Sequence, residues 1–140
     1  MQVAEVMSRH LRTIEPKSTL MEAARKMSKY NIGGLIVTSA FEIKGIITER
    51  DIMEAFASGK KSSTPVSAVM TKRVYTIDHN ATLEEAAKVM LKHHIKRLPV
   101  VKKGRCIGII TATDLISYEE KLIDKISLLF LLPRKKVEAV

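Results

Sequence analysis

The chain overlaps itself at an offset of 63 residues, and this constrains its fold more than any other feature of the sequence. At that offset Val3-Ala4-Glu5-Val6-Met7 falls on Val66-Ser67-Ala68-Val69-Met70 without a gap. Thr13-Ile14 then falls on Thr76-Ile77, Thr19-Leu20 on Thr82-Leu83, Glu22-Ala23-Ala24 on Glu85-Ala86-Ala87, and Gly45-Ile46-Ile47-Thr48 on Gly108-Ile109-Ile110-Thr111. Asp51 meets Asp114, and residues 3 to 53 share 20 identities over 51 aligned positions. The sequence is a tandem duplication, so whatever one copy folds into, the other must fold into as well.

Each copy reads as strand, helix, strand, strand, helix. A short strand at Arg12 to Ile14, or Tyr75 to Ile77, leads to a helix opened by Thr19-x-x-Glu22 or Thr82-x-x-Glu85, the form of a capping box. Leu20, Ala23, Ala24 and Met27 recur at helical spacing, as do Leu83, Ala86, Ala87 and Met90, so each helix buries one stripe. Two apolar runs follow, Gly34 to Thr38 and Ile43 to Thr48, matched by Leu98 to Val101 and Cys106 to Thr111. Their Val and Ile content marks buried strands, and a second helix starts near Thr48 or Thr111. These elements divide the chain into a first domain at 1–57, a linker at 58–65, a second domain at 66–118 and a C-terminal extension at 119–140. In the linker Pro65 is placed to start a helical turn at Val66. In the extension the helix from Asp114 is predicted to run on through Leu122, Ile123, Ile126, Leu129 and Phe130 until Pro133 stops it, leaving a basic tail from Arg134.

A copy of this size with three strands cannot cover both faces of its own sheet, so the two copies are expected to pack with pseudo-twofold symmetry and to leave two equivalent clefts between them. The duplication accounts for most of the 140 residues, and the 46% hydrophobic content is too high for a disordered chain. The longest apolar run, Leu128 to Leu132, is far short of a membrane span, and the charged N-terminus does not read as a secretory signal. A cytoplasmic protein with no membrane partner is expected. The lone Cys106 excludes an internal disulfide and a cysteine-based zinc site, and reads as a small core residue. Asn and Gln together number three, a depletion that points to a thermophilic source.

The segments carrying most chemical information are Gly45-Ile46-Ile47-Thr48-Glu49-Arg50-Asp51 and Gly108-Ile109-Ile110-Thr111-Ala112-Thr113-Asp114. Each runs a buried strand into a helix N-terminus, with a hydroxyl at the turn and a carboxylate three residues on. Such an N-terminus suits a phosphate, and a carboxylate can accept from two ribose hydroxyls, the pair of requirements a nucleotide makes. Thr-x-x-Asp is equally a plain helix cap. The glycine three residues ahead of each Thr allows close approach, either of a ligand or of a facing backbone.

The two Gly-h-h-Thr-x-x-Asp segments (h, apolar), the Val-x-x-Val-Met openings and Arg97-Leu98-Pro99-Val100-Val101 together resemble a pair of cystathionine beta-synthase (CBS) domains, the tandem called a Bateman module, over residues 3 to about 118. The resemblance implies an α/β (α+β) fold of two tandem CBS repeats that binds an adenosine-containing ligand, AMP, ADP, ATP or S-adenosylmethionine, in the cleft between repeats. With no P-loop, paired-histidine site or dinucleotide fingerprint in the sequence, no further cofactor and no metal are expected. It implies that Asp51 and Asp114 hold the ribose diol and that Thr48 and Thr111, with Arg50 and Thr113 beside them, lie near the phosphate. Thr13-Ile14 and Thr76-Ile77 would contact the base, while Lys96 and Arg97, ahead of Pro99, would meet the phosphates. The first repeat departs from this pattern, having Gly33-Gly34 where the second has Lys96-Arg97, so the clefts are not expected to bind equally. Arg50 is placed to supply the missing charge.

His93-His94 lacks helical zinc-ligand spacing and reads as a pair at a helix C-terminus interacting with the dipole, while His10 and His79 read as surface residues. No nucleophile, base and orienting group can be assembled, so an enzyme is not expected. A module binding an adenine nucleotide and regulating an unknown protein target is. The apolar C-terminal helix further suggests a homodimer. Two other readings stay open: a nucleic-acid adaptor using the net charge of +9, although with three Phe, three Tyr and no Trp it has little for base stacking, or a ligand-free dimerisation scaffold.

Overall fold

The computed structural model describes residues 1–118 and 123–131. Its elements in chain order are α1 (Val3–Val6), β1 (Thr13–Ile14), α2 (Leu20–Tyr30), β2 (Gly34–Ser39), β3 (Glu42–Thr48), α3 (Glu49–Ala57), a 3-10 turn (Val66–Ala68), β4 (Ile77–Asp78), α4 (Leu83–His93), β5 (Arg97–Lys102), β6 (Arg105–Thr111), α5 (Ala112–Tyr118) and α6 (Ile123–Leu131). Both copies therefore show the expected strand, helix, strand, strand, helix order. Both sheets have three strands, ordered β1-β2-β3 and β4-β5-β6, with the first pair parallel and the second antiparallel. A helix must cross between the parallel strands, and α2 and α4 make that crossover.

The helices begin and end where their side chains dictate. The Thr19 hydroxyl accepts from the Glu22 N–H at 3.1 Å while the Glu22 carboxylate accepts from the Thr19 N–H at 3.4 Å, and Thr82 accepts from the Glu85 N–H at 3.1 Å. Asn31 and His94 close α2 and α4 in the left-handed region, at φ 51° and 57°. The histidine pair thus divides its tasks: His94 is the C-cap, and His93 stacks on Tyr75 with ring centroids 3.6 Å apart.

The compact units cut across the copy boundaries. One unit is Arg12–Val74; among the described residues the other joins Met1–Leu11 to those from Tyr75 onward. In the first, Thr71 bridges Ile46 with two 2.9 Å hydrogen bonds, and the Val66 N–H donates to the Ser18 carbonyl at 2.7 Å. In the second, Ser8 bridges Ile109 at 2.8 and 3.0 Å, and the Val3 N–H donates to Ala81 at 2.8 Å. The opening segment of each copy is therefore built into the unit that holds the other copy's sheet. Val66 joins the core of Leu20, Ala23, Leu35, Val37 and Ile47, and Val3, Val6 and Met7 join that of Leu83, Ala86, Met90, Leu98 and Ile110. The division 1–57, 58–65 and 66–118 follows sequence copies; packing follows this exchange.

Two expectations need correcting. The second short strand starts at Ile77, one residue later than its counterpart. In the first copy the Ile36 N–H donates to the Arg12 carbonyl at 3.4 Å; Pro99 occupies the equivalent position of β5 and has no N–H to give, so the ladder starts late. At the C-terminus, Ile126 and Leu129 are not surplus apolar surface, because α6 packs on α4 and α5 and buries both in its own unit's core. Leu128, Phe130 and Leu131 remain exposed, while Leu122, Pro133 and the basic tail lie outside the described residues.

Candidate ligand-binding site

Sheet register gathers the motif residues at one end of each sheet. In the unit Arg12–Val74, Thr13 pairs with Ile36 and Gly34 with Thr48, so the starts of β1 and β2 and the end of β3 share an edge. In the other, Ile77 pairs with Val100, Pro99 with Ile109 and Arg97 with Thr111, which brings Thr76, Lys96, Arg97, Pro99 and Thr111 to the corresponding edge. There the chain passes from strand to helix through a backbone bond, Glu49 N–H to the Gly33 carbonyl at 3.0 Å and Ala112 N–H to that of Lys96 at 2.8 Å.

The two helix starts have matching geometry. Asp51 Oδ2 accepts from the Thr48 N–H at 2.9 Å and the Asp51 N–H donates to Thr48 Oγ1 at 3.2 Å; Asp114 and Thr111 repeat the pair at 2.9 and 3.2 Å. Both Thr-x-x-Asp segments are therefore reciprocal caps, as the plain reading of the motif required. The caps leave Oδ1 of each carboxylate outside the reciprocal pair. Burial pushes the Asp51 carboxyl above its ordinary value, opposed by the Thr48 N–H and hydroxyl and assisted by nearby Glu54. Thr48 is itself buried, whereas Arg50 and Thr113 stand exposed on the first helical turns.

The remaining site residues are placed less uniformly. Thr13 and Ile14 border a cleft of about 390 Å³ with Glu15, Ser18, Lys26 and Thr38, and the Lys26 ammonium donates to the Thr13 carbonyl. Thr48, Arg50 and Asp51 do not line that cleft. Ile77 and Pro99 are buried and Thr76 is exposed. The Lys96 ammonium sits 4.8 Å from the centroid of the Phe130 ring, a cation–π contact the sequence did not announce because it joins residues 34 apart through the placement of α6.

The motif glycines face backbone. A Cβ on Gly45 would lie 2.7 Å from the Thr71 carbonyl oxygen, and one on Gly108 would lie 2.8 Å from that of Ser8 and 2.6 Å from the Met7 sulfur. Of the two readings of these glycines, the structure supports close approach of a crossing chain. Among the described residues no group of three or more His, Cys, Asp or Glu is placed to hold a metal ion. The surface reading of His79 does not hold, because its Nδ1 is buried, 3.5 Å from Asp78 Oδ2. Cys106 is buried, and burial pushes its thiol up.

Two sheets of one topology, each ending in the same capped helix start, define a duplicated α/β module. The chain belongs to the CBS-domain family, whose model matches it twice, at residues 3–58 and 66–121. It is 36% identical over 114 residues to the CBS domain-containing protein YhcV of Bacillus subtilis, covering 81% of each chain. Among solved structures, it is similar to a putative acetoin utilization protein (AcuB) from Vibrio cholerae, with a TM-score of 0.78, 33% identity, and coverage of 89% of this chain and 95% of that one. The CBS domain pair of protein MJ0100, solved in complex with 5′-methylthioadenosine and S-adenosyl-L-methionine, matches with a TM-score of 0.75 and 31% identity over 84% of this chain and 98% of that one. No catalytic family is indicated by these matches, and no helix among the described residues is long and apolar enough to cross a membrane.

Proposed function

We propose that this CBS pair is a non-catalytic regulatory module of the cytoplasm that binds an adenosine-containing ligand, AMP, ADP, ATP or S-adenosylmethionine, and reports its occupancy to a partner protein as a homodimer. The observation that carries this reading is the repeated sheet end, where a capped carboxylate and a helix N-terminus lie at the same end of the sheet as the start of the first strand in both units. The ligands of the MJ0100 pair, both adenosine derivatives, support the same class.

In this reading Oδ1 of Asp51 and of Asp114 accepts from the ribose diol, while Oδ2 keeps the carboxylate fixed by its bond to the Thr N–H. The Thr48 and Thr111 hydroxyls accept from the Asp N–H and keep a proton to donate to a phosphate oxygen. Thr13-Ile14 and Thr76-Ile77 offer backbone and apolar surface to the base. Lys96 and Arg97 add positive charge in the second repeat, with Pro99 and Thr113 nearby, and Arg50 adds it in the first. A ligand that favours one arrangement of the module over another shifts the population and so signals to the partner.

Calorimetric titration with AMP, ATP and S-adenosylmethionine at fixed salt tests the reading. At least one of them binds, and Asp51→Ala and Asp114→Ala each weaken it about tenfold or more, the loss expected for a charge-assisted hydrogen bond. Unchanged affinity in both variants would remove the site assignment. Binding of random DNA or RNA with steep salt dependence, and of none of the three ligands, would favour a nucleic-acid adaptor.

A further inference from the structure

Lys96 connects the motif end of the second repeat to the helix that follows it. Its carbonyl accepts from the Ala112 N–H at 2.8 Å, next to the cap formed by Thr111 and Asp114, while its ammonium lies 4.8 Å from the centroid of the Phe130 ring. Phe130 stands in the last turn of α6. Ile126 and Leu129 fix that helix in the core at 0% and 6% exposure, whereas Phe130 is 53% exposed, so burial does little to hold its ring in place. The cation supplies what burial does not. The first repeat lacks both halves of the contact: Gly33 stands 63 positions before Lys96, and no helix follows α3 before the 3-10 turn at Val66. The cation and the helix it touches thus occur together.

An ammonium over an aromatic face is held by the ring quadrupole, a weaker attraction than the one it makes with the full negative charge of a phosphate oxygen. Ring and phosphate compete for one group. We infer that Lys96 is a latch on α6: it holds Phe130 while no phosphate is bound, and a phosphate-bearing ligand draws the ammonium off the ring and frees the last turn of the helix. This rests on the reading of Lys96 as a phosphate contact, and it makes the end of α6 the route from ligand to partner protein. Coupling of this kind is reciprocal, so Phe130 weakens the binding of phosphate-bearing ligands by the same factor that they loosen the latch. An adenosine derivative without a phosphate leaves the latch closed.

The sequence has no tryptophan, so Phe130→Trp places a lone indole at the contact. Its fluorescence is titrated with AMP and with adenosine, beside calorimetry of the wild-type chain with AMP, ATP and S-adenosylmethionine. AMP shifts the indole emission and adenosine does not, and Lys96→Met in the same background abolishes the shift at saturating AMP. Phe130→Leu, a change at an exposed position, binds AMP about two- to fivefold more tightly than the wild-type chain, the factor expected from losing a competing cation–π contact. An emission unmoved by AMP, while AMP still binds the wild-type chain, overturns the latch and leaves the nucleotide reading standing. So does a shift that survives Lys96→Met, and so does an unchanged AMP affinity in Phe130→Leu. Binding of S-adenosylmethionine alone, which carries no phosphate, also overturns the latch and leaves the adenosine reading standing. Binding of none of the three removes both.

Discussion

Gly33-Gly34 opens β2 of the first repeat where Lys96-Arg97 opens β5 of the second, yet the caps that follow, Thr48 with Asp51 and Thr111 with Asp114, agree in both hydrogen-bond lengths. Duplication has kept the scaffold that fixes a carboxylate at a helix start and varied the charge beside it. Backbone geometry at the sheet end is set by register and capping, which tolerate either pair. Charge at the sheet end is set by the side chains, which differ by two cations. The two repeats thus share a fold and differ in charge at the sheet end, and if that end is the binding surface proposed above, they should bind unequally.

The largest expected effect tests the equivalence. Gly45→Ala and Gly108→Ala each drive a Cβ to within 2.8 Å of a crossing carbonyl oxygen. Each should lower the unfolding free energy by about 1–3 kcal/mol, the usual cost of overpacking, in urea denaturation. A neutral Gly45→Ala beside a damaging Gly108→Ala would break the equivalence. The inequality is sharpened next by Arg97→Ala, which should weaken AMP and ATP about tenfold while leaving 5′-methylthioadenosine, which has no phosphate, within about twofold in calorimetry. Arg50→Ala should act in the same direction and less strongly, since Arg50 stands exposed to solvent.

The smallest effect concerns pH. Asp51 has its folded-state value raised, chiefly by burial, so its contribution to stability is full below the unfolded value and is lost as pH rises through the folded one. Denaturation of Asp51→Asn against the wild-type chain at several pH values should show the variant gaining relative stability from about pH 4 upward. A relative loss over that range would reverse the sign of the burial argument.

Much of this was legible in the sequence, for definite reasons. The repeat fixed the element order, because two copies cannot differ in fold. The hydroxyl-x-x-carboxylate spacings located four helix starts, because capping is a local event between residues three apart. In the hairpin of the second repeat Lys103 and Gly104 both adopt positive φ, where a glycine in the sequence is the usual cue. Its counterpart Ala40-Phe41 does the same without any sequence cue, following the geometry of the hairpin rather than its own preference. The exchange of opening segments was hidden, because periodicity identifies a copy without saying which sheet it packs on. Which of the two readings of Gly45 and Gly108 applies was hidden with it, since the backbones they admit, at Thr71 and Ser8, belong to those segments. Pro99 delaying β4 and α6 covering the α4/α5 side also depend on contacts between distant residues. At the candidate site the cap was legible and the Lys96–Phe130 contact was not.

The central claim is that the fixed carboxylates read a ribose diol. Calorimetric titration of the wild-type chain with AMP and with 2′-deoxy-AMP, under identical salt and pH, tests it most directly. The account predicts that removing one hydroxyl weakens binding about tenfold or more, because a positioned carboxylate loses the partner it was built to meet. Equal affinity for the two would show that Asp51 and Asp114 serve as helix caps alone.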